Sequence, residues 1–89
     1  MLSQNTITAL DNLVNNLSKE DCQKVYDNNN KPWRYKNPHE RTGQYYHNIL
    51  FEKVSAPLPE LFYETDDKIS DEIYTTVLFK IIDKLENDG

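Results

Sequence analysis

The strongest helical pattern in the chain is SDEIYTTVLFKIIDKL, residues 70–85. Its apolar residues recur at spacings of three and four, the period of an amphipathic α-helix that buries one side. Ser70 is a good N-cap residue, and Asp71 and Glu72 complement the positive end of the helix dipole. We therefore predict a helix that begins at Ser70. Its broad apolar stripe consists of Ile73, Tyr74, Val77, Leu78, Ile81, Ile82 and Leu85.

One aromatic residue of this segment does not fit the stripe. At about 100° per residue, Phe79 falls on another side of the helix, close to Glu72, Asp83 and Glu86. An aromatic ring among carboxylates is typical of a contact surface, in which the acids steer a basic partner and the ring supplies buried area. The alternative is that the short segment 61–63 (Leu-Phe-Tyr) covers Phe79 as part of a small core.

Two more amphipathic segments precede this one. Apolar residues between Ile7 and Leu17 predict a helix from about Thr6 to Leu17. Ser18 then reads as an N-cap followed by an acidic first turn, which predicts a second helix that ends within the asparagines of residues 28–30. That helix is expected to turn Cys22, Val25 and Tyr26 inward.

The middle of the chain admits two interpretations. Pro32 and Pro38 predict an irregular connection over residues 31–37. Asn37-Pro38 fits an N-cap and a first helical position, and the apolar spacing of residues 45–54 predicts a third helix that ends near Val54. The alternative is a hairpin that pairs residues 33–36 with 44–51, because Tyr, Ile and Phe favour strands and Gly43 is unfavourable inside a helix. Residues 45–54 lack a clean alternation, which favours the helix.

The fold class that follows is mainly α: one domain over residues 1–89, built as a small bundle of four to five helices with an irregular, proline-containing connection. The alternative is an α+β fold with the short hairpin at 33–36 and 44–51. Pro57 and Pro59 interrupt the chain before the last helix and leave residues 60–63 room for a turn or two.

Composition favours a binding surface over a catalytic cavity. The chain has 89 residues, of which 37% are hydrophobic, so its core is thin and a deep, dry active site is not expected. Cys22 is the only cysteine, and His39 and His47 lack the convergent ligands of a metal site. We therefore expect neither an enzyme nor a bound metal or cofactor. The first residues lack a secretory pattern and no apolar run is long enough to span a bilayer, which predicts a cytoplasmic protein without a membrane partner.

Charge is unevenly distributed along the chain. Residues 1–51 carry six basic and five acidic residues, a net charge of +1, whereas residues 52–89 carry ten acidic and four basic residues, a net charge of −6. The C-terminal half therefore suits a basic partner.

A second candidate contact region lies in the N-terminal half. Basic and aromatic residues alternate over residues 31–47, and the candidate contact residues there are Trp33, Arg34, Tyr35, Tyr45 and Tyr46. Such residues dominate protein interfaces, and the same mixture also suits single-stranded nucleic acid. A structural reading is that Trp33 and Tyr35 plug the open end of the bundle.

These patterns lead to the hypothesis of a non-enzymatic, macromolecule-binding protein. The acidic helix around Phe79 would meet a basic protein surface, such as that of a nuclease or a nucleic-acid-binding complex. An inhibitor of the phage anti-defence or toxin-immunity type fits this description. The alternative is a small nucleic-acid-binding protein that uses residues 31–47, and a third reading is a homo-oligomer with Phe79 in a symmetric contact.

Overall fold

A computed structural model describes residues 1–87, and in that part of the chain five helices and no strand are present. The helices are α1 (Gln4–Asn16), α2 (Lys19–Asn30), α3 (Thr42–Phe51), α4 (Pro59–Phe62) and α5 (Asp67–Asn87). The predicted mainly-α fold is confirmed. The hairpin alternative is wrong, because residues 42–51 form α3 and residues 33–36 belong to an irregular connection.

The first two helices follow their local sequence signals. Ser3 and Ser18 act as N-caps, and their hydroxyls accept hydrogen bonds from the backbone N–H groups of Thr6 at 3.2 Å and Asp21 at 3.0 Å. These bonds satisfy donors that the first turn of a helix otherwise leaves unpaired. The side chains that the two helices bury are Leu10, Val14, Cys22, Val25 and Asn28.

Helix α3 is shorter than predicted at both ends. It begins at Thr42 rather than at Pro38, because residues 37–40 form a turn in which the Glu40 N–H donates to the Asn37 carbonyl at 3.1 Å. The side chain of Glu40 is bound to Arg34, so this segment closes the preceding connection instead of starting the helix. The helix ends at Phe51, and residues 52–54 bend away.

Helix α5 begins one turn earlier than predicted, and the assignment of Ser70 as its N-cap is wrong. The carboxylate of Asp66 accepts hydrogen bonds from the N–H groups of Lys68 at 2.8 Å and Ile69 at 3.1 Å. An acidic residue that satisfies these donors also complements the helix dipole. Ser70 lies inside the helix and is fully buried.

The core forms around α5, which packs against each of the other four helices. Its inner face contributes Ile73, Val77 and Ile81, all buried. Helices α3 and α4 pack closely at Gly43, where a Cβ atom would lie 2.0 Å from the Leu61 carbonyl oxygen and 3.1 Å from the Ser70 hydroxyl of α5. This packing leaves the opposite side of α5 facing solvent.

Candidate functional site

Phe79 lies on the solvent side of α5. Its side chain is 67% exposed, whereas Val77 and Ile81, two residues away in either direction, are buried. A two-residue step turns the helix by about 200°, so Phe79 projects away from the core that these residues fill. The predicted placement of Phe79 outside the apolar stripe is confirmed.

Three exposed carboxylates share this side of the helix with the ring. The four residues are called the acidic face below: Glu72, Phe79, Asp83 and Glu86. They extend over about four helical turns, or about 21 Å. Asp83 accepts a hydrogen bond from the Asn87 amide at 2.8 Å, and a Glu72 oxygen lies 3.4 Å from the Met1 amino group. Among residues 1–87, none of these carboxylates forms an ion pair with a lysine or an arginine.

Lys80 and Lys84, which directly follow Phe79 and Asp83 in α5, are bound to α1 instead. Lys80 pairs with Asp11. Lys84 donates to the Val14 carbonyl at 3.0 Å and to the Leu17 carbonyl at 2.5 Å. Because the carbonyl end of a helix carries partial negative charge, the Lys84 ammonium stabilises the end of α1. Both cations are thus committed to packing two helices together, and within residues 1–87 the cation that pairs with the acidic face is the Met1 ammonium, beside Glu72.

The segment 61–63 does not cover Phe79, so that alternative is wrong. Leu61 is fully buried in the core. The Phe62 ring packs edge-on against His47, with 5.3 Å between the ring centroids, and against Tyr63 at 4.9 Å. These residues form a separate cluster beside α3, and they leave the outer side of α5 open.

The connection between α2 and α3 is braced by its own side chains. Arg34 donates two hydrogen bonds to the Glu40 carboxylate, at 2.9 and 2.8 Å, and this contact holds the pKa of Glu40 below its usual range. Trp33 is half-buried, and its indole N–H donates to the Asn28 carbonyl at 2.7 Å. Tyr35 is 96% exposed, so the expectation that it plugs the bundle is wrong.

The tyrosine pair at the start of α3 serves the fold. Tyr45 donates its hydroxyl to the Arg34 carbonyl at 2.6 Å, which fastens the connection to α3. Tyr46 donates to Asp71 and stacks on Tyr74 with 4.4 Å between the ring centroids. Burial, followed by the contact with Asp71, raises the pKa of Tyr46 to about 12. Both hydroxyls are therefore occupied by intramolecular contacts.

The cations of residues 31–47 are similarly engaged. Lys31 pairs with Glu52 at 2.7 Å, and its ammonium lies 4.6 Å from the centre of the Trp33 ring. Lys36 donates to the Glu40 carbonyl, and Arg41 donates to a carbonyl of α4. Phosphate binding would have to displace or share these contacts.

Sequence reasoning missed the cluster around His47. The imidazole Nε2 accepts a hydrogen bond from the Leu58 N–H at 3.0 Å, and burial lowers the pKa of His47. The surrounding groove has a volume of about 280 Å³ and is also lined by Pro57, Pro59, Phe62 and Tyr63. The prolines indicated an irregular segment, but no local pattern indicated which side chain would bind it.

No protein-family model, curated protein or solved structure matches this chain. In the part of the chain that the structure describes, no group of three or more potential metal ligands converges. None of the helices there combines the length and the apolar character needed to cross a membrane. The chain's own surfaces are therefore the guide to its function.

Proposed function

We propose that this chain is a non-enzymatic protein-binding domain whose acidic face docks on a basic protein surface. The observation that carries the proposal is the exposure of Phe79 among three carboxylates that no lysine or arginine of residues 1–87 neutralises. Aromatic residues supply much of the binding energy at protein interfaces, and surrounding charges speed and orient the encounter.

The placement of the face on a long helix supports this role. Helix α5 is anchored to all four other helices, so its outer side chains are presented by a rigid element. A pre-ordered surface loses less conformational entropy on binding than a loop that must first become ordered. Phe79 therefore serves as an anchor, and the carboxylates at positions 72, 83 and 86 form its charged rim.

The chemistry of the face suits a partner that itself binds nucleic acid. Nucleases and related proteins carry basic surfaces that attract phosphates, and a row of carboxylates offers the same sign of charge. Occupation of such a surface would inhibit the partner by excluding its nucleic acid. An anti-defence inhibitor from a phage and an immunity protein against a toxic nuclease are both inhibitors of this kind.

The test is affinity capture from the native host lysate with matched variants as baits. Phe79→Ala removes the anchor, and Tyr63→Ala is its control, because Tyr63 is 69% exposed but belongs to the cluster around His47. We expect a basic partner to be retained by the wild type and by Tyr63→Ala and to be lost with Phe79→Ala. Equal retention by all three baits would contradict the proposal.

Charge reversal tests the rim separately from the anchor. Asp83→Lys and Glu86→Lys are expected to slow association and to weaken its dependence on salt. Glu60→Lys makes the same charge change on α4 and is expected to leave the rate nearly unchanged. The captured protein should also bind nucleic acid, and wild-type chain should displace that nucleic acid. A captured partner that binds this chain and nucleic acid simultaneously would exclude inhibition by competition.

Nucleic-acid binding through residues 31–47 has less support, because Lys31 and Arg34 are already paired with carboxylates. A salt titration of binding to single-stranded oligonucleotides separates the two functions. A strong loss of affinity with added salt would favour nucleic-acid binding. Self-association through Phe79 would bring like charges together, and sedimentation across a range of concentrations tests that third arrangement.

A further inference from the structure

A side chain of α3 binds the backbone of the segment that precedes α4, beside the apolar packing of Ala56 and Leu58 in the core. The backbone N–H of Leu58 donates to the Nε2 atom of His47 at 3.0 Å. Leu58 is 2% exposed, so its N–H depends on a protein acceptor. Because Nε2 accepts, the proton of the neutral imidazole resides on Nδ1. A second proton on the ring would bind to Nε2 and occupy the lone pair that accepts the hydrogen bond from the Leu58 N–H.

The surroundings of the imidazole disfavour that second proton. Two aromatic side chains pack against the imidazole: Phe51 from α3, at 5.1 Å between ring centroids, and Phe62 from α4, at 5.3 Å. Leu58 closes the side that belongs to the connecting segment. Two ionisable groups pack behind Phe62: the phenol of Tyr63, and the guanidinium of Arg41, which lies 5.4 Å from the Phe62 ring centre. Burial therefore opposes a charged imidazole.

We propose that His47 is a pH-sensitive latch, and that protonation of its Nε2 releases the Leu58 amide and raises the population of a state in which residues 55–59 are detached from α3. This role is independent of the acidic face. Mild acidity would open the groove beside Phe62 and Tyr63 while the other helices remain packed.

The sign of the effect follows from the two protonation states. In the detached state the imidazole is solvated and titrates near its ordinary pKa of about 6.5. In the latched state its pKa is lowered by burial. The latch is thus fully effective above about pH 6.5 and weakens as the pH falls from there toward the lowered pKa. Across that window the ratio of detached to latched molecules rises by at most about tenfold per pH unit.

Hydrogen exchange of individual amides, followed by NMR, tests the latch in the full chain. The protection of the Leu58 amide, corrected for the intrinsic exchange rate, is expected to fall by up to about tenfold per pH unit below about pH 6.5. The buried amides of α1 are expected to keep their protection over the same range. Protection at Leu58 that does not change with pH, or that falls together with α1, would overturn the proposal.

Two glutamine variants identify the responsible histidine. His47→Gln retains a possible acceptor but has no proton to gain, so it should remove the pH dependence at Leu58. His39→Gln alters the exposed histidine and should leave that dependence intact. A wild-type NMR titration covers the case in which His47→Gln does not fold: equal midpoints for the His47 ring nitrogens and the Leu58 amide support the latch, and clearly different midpoints refute it.

Discussion

Replacing Gly43 by alanine tests how closely α3, α4 and α5 approach one another. A Cβ atom at this position would lie 2.0 Å from the Leu61 carbonyl oxygen and 3.1 Å from the Ser70 hydroxyl. Real Cβ contacts are essentially never shorter than 3.0 Å, so α3 and α4 would have to separate by about 1 Å. The atom in the way belongs to the backbone of α4 and cannot rotate aside.

The size of the effect depends on two opposing contributions. Overpacking of a tight core costs about 1–3 kcal/mol, and a clash with backbone next to the fully buried Leu61 belongs at the upper end. Alanine in a helix recovers at most about 1 kcal/mol relative to glycine. We therefore expect Gly43→Ala to lower the free energy of unfolding by about 2 kcal/mol. For a domain of this size, that corresponds to a fall in Tm of about 8–16 °C.

Thermal and denaturant unfolding, monitored by far-ultraviolet circular dichroism, measure this change. Ser70→Ala is the matched control: the Ser70 hydroxyl is buried without a hydrogen-bond partner in the described residues, so its removal should be neutral or slightly stabilising. The double variant should remain destabilised, because the closer obstacle is the Leu61 carbonyl. A Gly43→Ala protein as stable as wild type would refute the close approach of α3 and α4. If Ser70→Ala restored the stability of Gly43→Ala, the clash would be with the Ser70 hydroxyl and not with the Leu61 carbonyl.

Three further changes test the contacts around α5 and α3. Lys84→Met should lower the free energy of unfolding by about 1–2 kcal/mol in denaturant titrations, because the carbonyls at the end of α1 lose their donor. Lys68→Met should change this free energy little. Equal stability of the two variants would contradict the proposed stabilisation of the α1 end by Lys84. Asp66→Ala removes the N-cap of α5 and should cost about 1 kcal/mol in the same assay, and no loss would show that α5 does not depend on it. Burial raises the pKa of Tyr46 to about 12, so its stabilising contribution is complete below about pH 10 and declines as the pH rises toward about 12. Burial also raises the pKa of Tyr74, so absorbance titration should show more than one late-ionising tyrosine. Tyr46→Phe should remove the one that ionises at about pH 12, and an unchanged titration curve would contradict the assignment.

Local signals were sufficient to predict most of the fold. The apolar repeat predicted α1, although the helix begins at Gln4 after a Ser3 cap and not at Thr6, and the Ser18 cap of α2 was predicted. Both cap interactions span three residues. The position of Phe79 depends only on helical periodicity, so the sequence predicted it correctly. Only the structure shows that the Phe79 ring is exposed, because the sequence pattern was equally compatible with a ring covered by residues 61–63.

The errors occurred where the chain had competing local choices. Asp66 and Ser70 are both good N-cap residues, and in the fold Asp66 caps α5 whereas Ser70 is buried inside the helix beside Gly43. The start of α3 was predicted too early because Glu40 binds Arg34, and nothing in the spacing around Pro38 reveals that contact.

The side chains around α3 were the hardest to assign from sequence. Tyr46 meets Asp71 across 25 residues, and His47 meets Leu58 across 11. Helical periodicity places these side chains on a face but does not identify their partners. The sequence therefore proposed Tyr46 as a contact residue, whereas the structure shows its hydroxyl bound within the fold.

The most direct test of the acidic face is the dissociation constant of Phe79→Ala for the captured partner, measured by calorimetry beside wild type. An aromatic anchor of an interface contributes about 2 kcal/mol or more, so we expect affinity to weaken at least about thirtyfold. The unfolding curve should move little, because the ring is largely exposed. An unchanged dissociation constant in a folded variant would contradict the central claim that Phe79 and its carboxylates form the binding surface.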